Sequence, residues 1–152
     1  MEKLRIYLDN CCFNRPYDDQ DMLSVFLETQ AKLSIQELVR TDELSLVWST
    51  ILDYENSRNP DDAIRDEIST WRKVSSVIIH QSESIIKNAA EINKSGIGKK
   101  DSLHIACAID AKADFFITTD KGIIRKRNFI TGINIVNPVD FISILEDKNE
   151  SR

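Results

Sequence analysis

Asp101-Ser-Leu-His-Ile-Ala-Cys-Ala-Ile-Asp-Ala-Lys-Ala-Asp-Phe-Phe-Ile-Thr-Thr-Asp120 reads as a helix, a tight connection and a buried strand, with an acid at each end. Asp101 opens the helix. Asp120 stands just past the strand Phe115-Phe116-Ile117-Thr118. In an open parallel sheet, ligands bind outside the carboxyl ends of the strands. An acid at a strand end is therefore placed for chemistry. Leu4-Arg5-Ile6-Tyr7-Leu8 runs into Asp9 in the same way. If these two strands are neighbours, Asp9 and Asp120 converge on one rim, and the Asp101 helix brings a third carboxylate to it.

Outward from this stretch, short apolar runs alternate with amphipathic ones. Strands are expected at 3–8, 44–48, 77–79, 115–118 and 133–136. A helix is expected at about 21–40, where Leu23, Phe26, Leu27, Leu33 and Leu38 form an approximate stripe. Ser49 can cap a helix over 50–57 that carries Asp53 and Glu55. Asn59-Pro60-Asp61-Asp62 starts a further helix, with Pro60 near its first turn and Ile64, Ile68, Trp71 and Val74 as its apolar face. Ser82 caps another, Gly96 is its stop, and 139–146 is the last helix. Residues 14–20, with Pro16 and its acidic neighbours, read as a loop. Residues 121–127 read as a basic turn of helix or loop, and 147–152 as a fraying polar tail. Strands alternating with helices argue for an α/β fold with a mostly parallel sheet, in a single domain over 1–146.

The chain has 152 residues, 41% of them hydrophobic and 30% charged, which suits one soluble globular domain. No apolar run approaches the roughly 20 residues needed to span a bilayer. Met1-Glu2-Lys3 leads straight into a strand, so no secretory signal is expected. Cys11, Cys12 and Cys107 make neither a disulfide framework nor a zinc pattern, which points to a reducing, cytoplasmic location. The net charge is -5, whereas a general electrostatic binder of nucleic acid is usually basic. Nucleic-acid binding here needs a local basic patch or bound cations.

Four of the 25 acids stand out by position: Asp9 and Asp120 at strand ends, Glu55 on the helix after the second strand, and Asp101 at a helix start. Hard divalent cations take oxygen ligands and often keep several waters. They activate water and offset charge on a phosphodiester. The alternative for Asp9, Asp101 and Asp120 is that each merely caps a helix or turn.

Tyr7-Leu8-Asp9-Asn10-Cys11-Cys12-Phe13-Asn14-Arg15-Pro16 resembles the opening of a PIN domain. Lys100-Asp101-Ser102-Leu103-His104-Ile105-Ala106-Cys107-Ala108, followed by Phe116-Ile117-Thr118-Thr119-Asp120, resembles its later part. The order matches, and the resemblance covers about 4–145. It implies a compact three-layer α/β/α fold with about five strands. It implies a Mg²⁺- or Mn²⁺-dependent ribonuclease acting on RNA. Small single-domain members are often toxins of toxin–antitoxin pairs, so an antitoxin protein is the implied partner, and homodimers are common. By the same resemblance Asp9, Glu55, Asp101 and Asp120 are the metal-binding catalytic acids. Glu55 is preferred to Asp53 for its setting in Tyr54-Glu55-Asn56-Ser57-Arg58-Asn59-Pro60. The two acids differ by about 200° around a helix, so only one faces the site.

Asn10, Thr118 and Thr119 are placed to hydrogen-bond these carboxylates. Arg15, Arg58, Lys99, Lys100, Lys121 and Arg125, with Lys126 and Arg127, flank the acids and are candidates to hold phosphates. The alternative for them is a solvated face. His104 lies almost one turn after Asp101, within reach of the site or packed in the core. Cys11 and Cys12 have no base at a recognisable spacing. Trp48 and Trp71 read as core. Two rival functions stay open. One is a non-hydrolytic PIN-like module binding RNA or a protein. The other is an aspartate-based phosphatase or receiver domain using Asp9 or Asp53. Against the phosphatase, Cys11 stands where a second acid is wanted. Against the receiver, Asp53 falls inside a helix.

Overall fold

A computed structural model describes residues 3–150; Met1 and Glu2, and Ser151 and Arg152 of the expected tail, lie outside the described residues. The elements run β1 (Arg5–Leu8), α1 (Asn10–Asn14), α2 (Leu23–Arg40), β2 (Ser45–Ser49), α3 (Thr50–Ser57), α4 (Asp62–Val74), β3 (Val77–Ile79), α5 (Glu83–Asn93), α6 (Lys99–Asp110), β4 (Phe115–Ile117), α7 (Lys121–Arg125), β5 (Asn134–Val136) and α8 (Pro138–Glu150). Short 3₁₀ turns occupy Arg15–Tyr17 and Arg127–Phe129.

The five strands form one parallel sheet in the order β3-β2-β1-β4-β5. Ile6, Tyr7 and Leu8 are all fully buried, as are Phe116 and Ile117. A sheet covered on both faces needs such continuous apolar runs rather than alternation. Right-handed crossovers send the β1-to-β3 connections over one face and the β3-to-β5 connections over the other. The result is the expected three-layer α/β fold. The order reverses between β1 and β4, which makes that gap the topological switch point. Aromatic contacts fill the layers: Phe13 meets Trp48 edge-on at 5.4 Å, and Phe115 meets Phe141 at 5.1 Å.

Several boundaries differ from the sequence expectation. Residues 14–20 contain a 3₁₀ turn seeded by Pro16, whose fixed φ suits an early helical position. The helix α4 starts within the expected stretch 59–62, after Asp61, whose side chain accepts from Ile64 N at 3.1 Å. The helix α8 continues to Glu150, past the expected end at 146. The largest difference is in α2. Four of the five residues of its expected stripe are exposed, with Leu23 at 69%, Phe26 at 44%, Leu27 at 46% and Leu33 at 45%, while Leu38 packs against the core. The buried side carries Thr29, Lys32, Ile35, Gln36 and Val39. Only Ile35 and Val39 of that face are apolar, so the helix docks on a partly polar side.

Candidate active site

Asp9 ends β1 and is almost fully buried. Its backbone N donates to Ile117 O at 3.0 Å, which fixes it beside β4. Oδ1 accepts from Asn10 N at 2.8 Å and so caps α1. Oδ2 accepts from Thr118 Oγ1 at 2.9 Å and lies 3.4 Å from Cys11 Sγ. Thr118 Oγ1 also accepts from Asp120 N at 3.0 Å, so one hydroxyl links both strand-end acids. Thr119 contributes its backbone N–H, which points at Cys11 Sγ at 3.4 Å.

Asp120 caps α7, accepting from Gly122 N at 2.8 Å and Ile123 N at 3.3 Å through Oδ1. A Cβ at Gly122 would come within 3.0 Å of that oxygen, so glycine lets the cap close. Asp101 sits in the first turn of α6. Among the described residues nothing donates a hydrogen bond to its carboxylate. Burial pushes the Asp101 carboxyl up to about 6, with further upward pressure from Asp9, Asp120 and Glu55 against a downward pull from His104. Three other carboxylates thus act on it at once. Asp101 and Asp120 line a common cleft of about 100 Å³.

Glu55 projects from α3. Oε2 accepts from Asn10 Nδ2 at 3.3 Å, and Oε1 is bonded to His104 Nε2. Burial would raise this carboxyl, but the His104 contact, Lys100 and Asn10 together hold it below its usual value. His104 is fully buried, and its Nδ1 meets Tyr7 Oη at 2.5 Å. Tyr7 Oη reaches Ser49 Oγ at 2.6 Å, and Ser49 Oγ accepts from Leu52 N at 3.2 Å. Burial above all keeps the Tyr7 phenol protonated. His104 therefore both packs and reaches the site. Ser49 caps α3 as its sequence suggests, but its link through Tyr7 to His104 was not foreseen; the available signal was a phenol inside an otherwise aliphatic strand, which needs a buried partner. Asp53 faces elsewhere, accepting from Trp48 Nε1 at 2.7 Å and Arg72 Nε at 3.3 Å. The two acids of α3 face different surroundings, as their separation around the helix requires.

No family profile matches the sequence, and no curated protein matches it. The chain is similar in structure to a chain of VapBC2 from Rickettsia felis, solved bound to a DNA fragment from their promoter. The TM-score is 0.55 at 16% identity, over 88% of this chain and 98% of that one.

The fold is PIN-like.

The basic residues around the PIN-like rim divide by environment. Arg15 is tied to Glu28 at 2.8 Å and Asp18 at 3.1 Å, bracing α2 rather than facing the acids. Lys99 lines an apolar hollow against α5 with Ile86, Ala89 and Leu103. Lys121 and Arg125 are exposed on α7. Lys100 is exposed, yet its charge is felt at Glu55. Arg58 lines a cleft with Glu55. Lys126 lines the cleft of Asp101 and Asp120, where Nζ donates to Gly96 O at 2.8 Å. Gly96 has φ +97°, and a Cβ there would lie 2.7 Å from Lys126 Nζ. The positive φ is what favours glycine at that position, since the lysine tip could move aside.

Among the described residues, no group of three or more His, Cys, Asp or Glu side chains is placed to hold a metal ion. The donor set still suits a hard cation that keeps several waters and takes one or two carboxylates directly. Two features favour such an ion. Asp101 is crowded by three other carboxylates and has no hydrogen-bond donor of its own among the described residues. Asn10 Oδ1, beside Glu55, is a buried acceptor with no partner. Cys11, Cys12 and Cys107 are free thiols. No described helix is long and apolar enough to cross a membrane.

Proposed function

We propose that this PIN-like chain is a cytoplasmic, Mg²⁺- or Mn²⁺-dependent endoribonuclease and the toxin of a toxin–antitoxin pair. The observation that carries the reading is the Asp101 carboxyl, held at about 6 by burial and by Asp9, Asp120 and Glu55. Carboxylates crowded at a switch point, with perturbed titration, mark a working site. Asp9, Glu55, Asp101 and Asp120 would hold the cation. When bound, it would supply water activation and offset negative charge on the phosphodiester. The chain's own groups do the rest. Thr118 and Asn10 keep the Asp9 and Glu55 carboxylates aimed. Asp101, half-buried and ionised at neutral pH, is poised to take a proton from the attacking water. Lys126, Lys100 and Arg58 flank the rim and hold phosphates, the local attraction that an acidic chain needs. Cleavage would leave 5′-phosphate and 3′-hydroxyl ends.

The likeness to VapBC2 supports a partner protein, an antitoxin that would cover or distort the acidic rim. A homodimer is also part of this reading, and its mass in solution tests it. The receiver alternative loses ground because Asp53 is bound to Trp48 and Arg72. The deciding experiment cuts a panel of structured and single-stranded RNAs with wild type and Asp101→Asn, each with Mg²⁺, Mn²⁺ or EDTA. Metal-dependent cutting that is lost in the variant is expected. Neither cutting nor calorimetric Mn²⁺ binding would sink the reading and leave a binding module.

A further inference from the structure

The cations that follow Asp120 serve two separate clefts. Lys126 lines the one that holds Asp101 and Asp120. The next residue, Arg127, lines a groove of about 680 Å³ along β5, the last strand of the sheet, which has no strand beyond it. Asn128, Ile130, Ile133, Asn134 and Lys148 border this groove as well. The chain carries a net charge of -5, yet among the described residues no acid lines the groove. Two cations and two side-chain amides do.

The 3₁₀ turn Arg127–Phe129 is pinned against the strand. Arg127 Nη1 donates to Ile135 O at 3.2 Å, which uses one of the several N–H donors of a guanidinium. Phe129 N donates to Lys126 O at 3.0 Å, and Ile130, the next residue, is buried. On this fixed turn Phe129 is 73% exposed, more than any other large apolar side chain among the described residues. Its chain neighbours Asn128 and Ile130 both line the groove. A single exposed apolar residue is ordinary. An aromatic ring held out beside a cationic, acid-free groove is a combination that one kind of ligand satisfies at once. A nucleic-acid single strand brings phosphates to the cations and open base faces to the ring. An acidic peptide would pair with the cations and leave the ring in water. A duplex keeps its base faces covered.

We propose that the β5-edge groove is a second contact for single-stranded RNA, with a base stacked on Phe129 and phosphates on Arg127 and Lys148. The strand would reach it from the acidic rim across the adjacent pair Lys126 and Arg127. Its part in cutting rests on the nuclease reading; the binding itself does not.

The probe is a fluorescein-labelled oligouridylate of about ten nucleotides, within the usual span of single-strand sites. A duplex of equal length and polyglutamate of equal charge are the comparators. Anisotropy titrations of the full chain run in EDTA, where no metal supports cleavage. Phe129→Ala should bind the single strand about tenfold more weakly, and Phe129→Trp should keep wild-type affinity. The duplex should not respond to Phe129→Ala. Lys148→Ala and Arg127→Ala should each lower the salt slope by about one. Arg127 also ties the turn to β5, so Lys148→Ala is the variant that tests charge alone. Equal affinity of wild type and Phe129→Ala for the single strand overturns the proposal. So does polyglutamate binding as tightly as RNA, which would make the groove a protein-docking surface. In cleavage of a long single strand, Phe129→Ala should raise KM about tenfold and leave kcat within about twofold, as loss of a contact away from the chemistry requires. Metal-dependent cleavage with KM unmoved overturns the groove and spares the nuclease. Phe129-dependent binding without any cleavage does the reverse.

Discussion

Replacing Asp101 with asparagine should make the metal-free protein more stable at neutral pH. The Asp101 carboxyl titrates at about 6 in the fold against a usual value of 3.8. A raised carboxyl is one whose ionised form the fold disfavours. Below the unfolded value both states are protonated and nothing is lost. As pH rises through the interval, the unfolded chain ionises first and native stability falls until the folded group has ionised too. The gap of about two units corresponds to ~3 kcal/mol at 1.36 kcal/mol per unit. Asp101 is only half-buried, and solvent screening cuts this to about 1–2 kcal/mol. Asparagine keeps the shape and removes the charge. At pH 7.5 in EDTA, Asp101→Asn should therefore melt roughly 3–6 °C above wild type. Near pH 4 the two curves should converge. Adding Mn²⁺ should reverse the ranking, because only wild type gains the stabilisation of a ligand bound to the native state. Circular-dichroism melts from pH 4 to 8, with and without Mn²⁺, read all of this. A variant no more stable than wild type at pH 7.5, or a difference independent of pH, would refute the charge crowding on which the functional reading stands.

Three further outcomes follow from buried contacts. Lys32 is buried with its ammonium over the Phe13 ring at 5.6 Å, and burial lowers it to about 8. Its charged form is disfavoured in the fold, so the penalty is full below pH 8 and fades towards pH 10.5. Lys32→Met should stabilise by about 1–3 kcal/mol in urea at pH 7 and by less at pH 10, with a destabilised variant as the contrary result. Tyr7→Phe keeps the stacking on Phe116 at 5.4 Å but deprives His104 of its orienting hydroxyl. It should cost about 1–2 kcal/mol and weaken Mn²⁺ binding measured by calorimetry; unchanged Mn²⁺ affinity would mean that His104 does not hold Glu55 in place. Asp53→Asn should lower stability through the Trp48 and Arg72 contacts while RNA cleavage stays within about twofold of wild type. A large loss of cleavage would transfer the role of Glu55 to Asp53.

Much of the sheet and of the acidic rim was legible because both are local in sequence. An apolar run such as Ile6-Tyr7-Leu8 ending in Asp9 announces a buried parallel strand and the acid beyond it. The α3 angle showed that Glu55 and Asp53 face different ways, and the motif around Glu55, not the angle, gave the preference between them. What escaped were properties decided by distant partners. Periodicity shows that α2 has an apolar stripe, but not that Thr29, Lys32 and Gln36 lie on the side that docks. Arg15 reads as a free cation until Glu28, thirteen positions away, takes it up. The contacts of His104 with Tyr7 and Glu55 span 97 and 49 residues. The helix α1, five residues long, is too short for a period to show.

The four acids are not equally expendable, and this sets an order in which they would be lost over evolutionary time. Asp9 and Asp120 each close a helix end, and Glu55 anchors a buried polar chain. Asp101 caps nothing and strains the fold. A lineage released from selection for cutting would gain stability by discarding Asp101 first, and would keep Asp9 and Asp120 for folding alone. Among divergent descendants, retention of the strand-end acids therefore says little about activity. Under the proposed nuclease function, the residue at position 101 is the one expected to distinguish a cutting copy from a retired one.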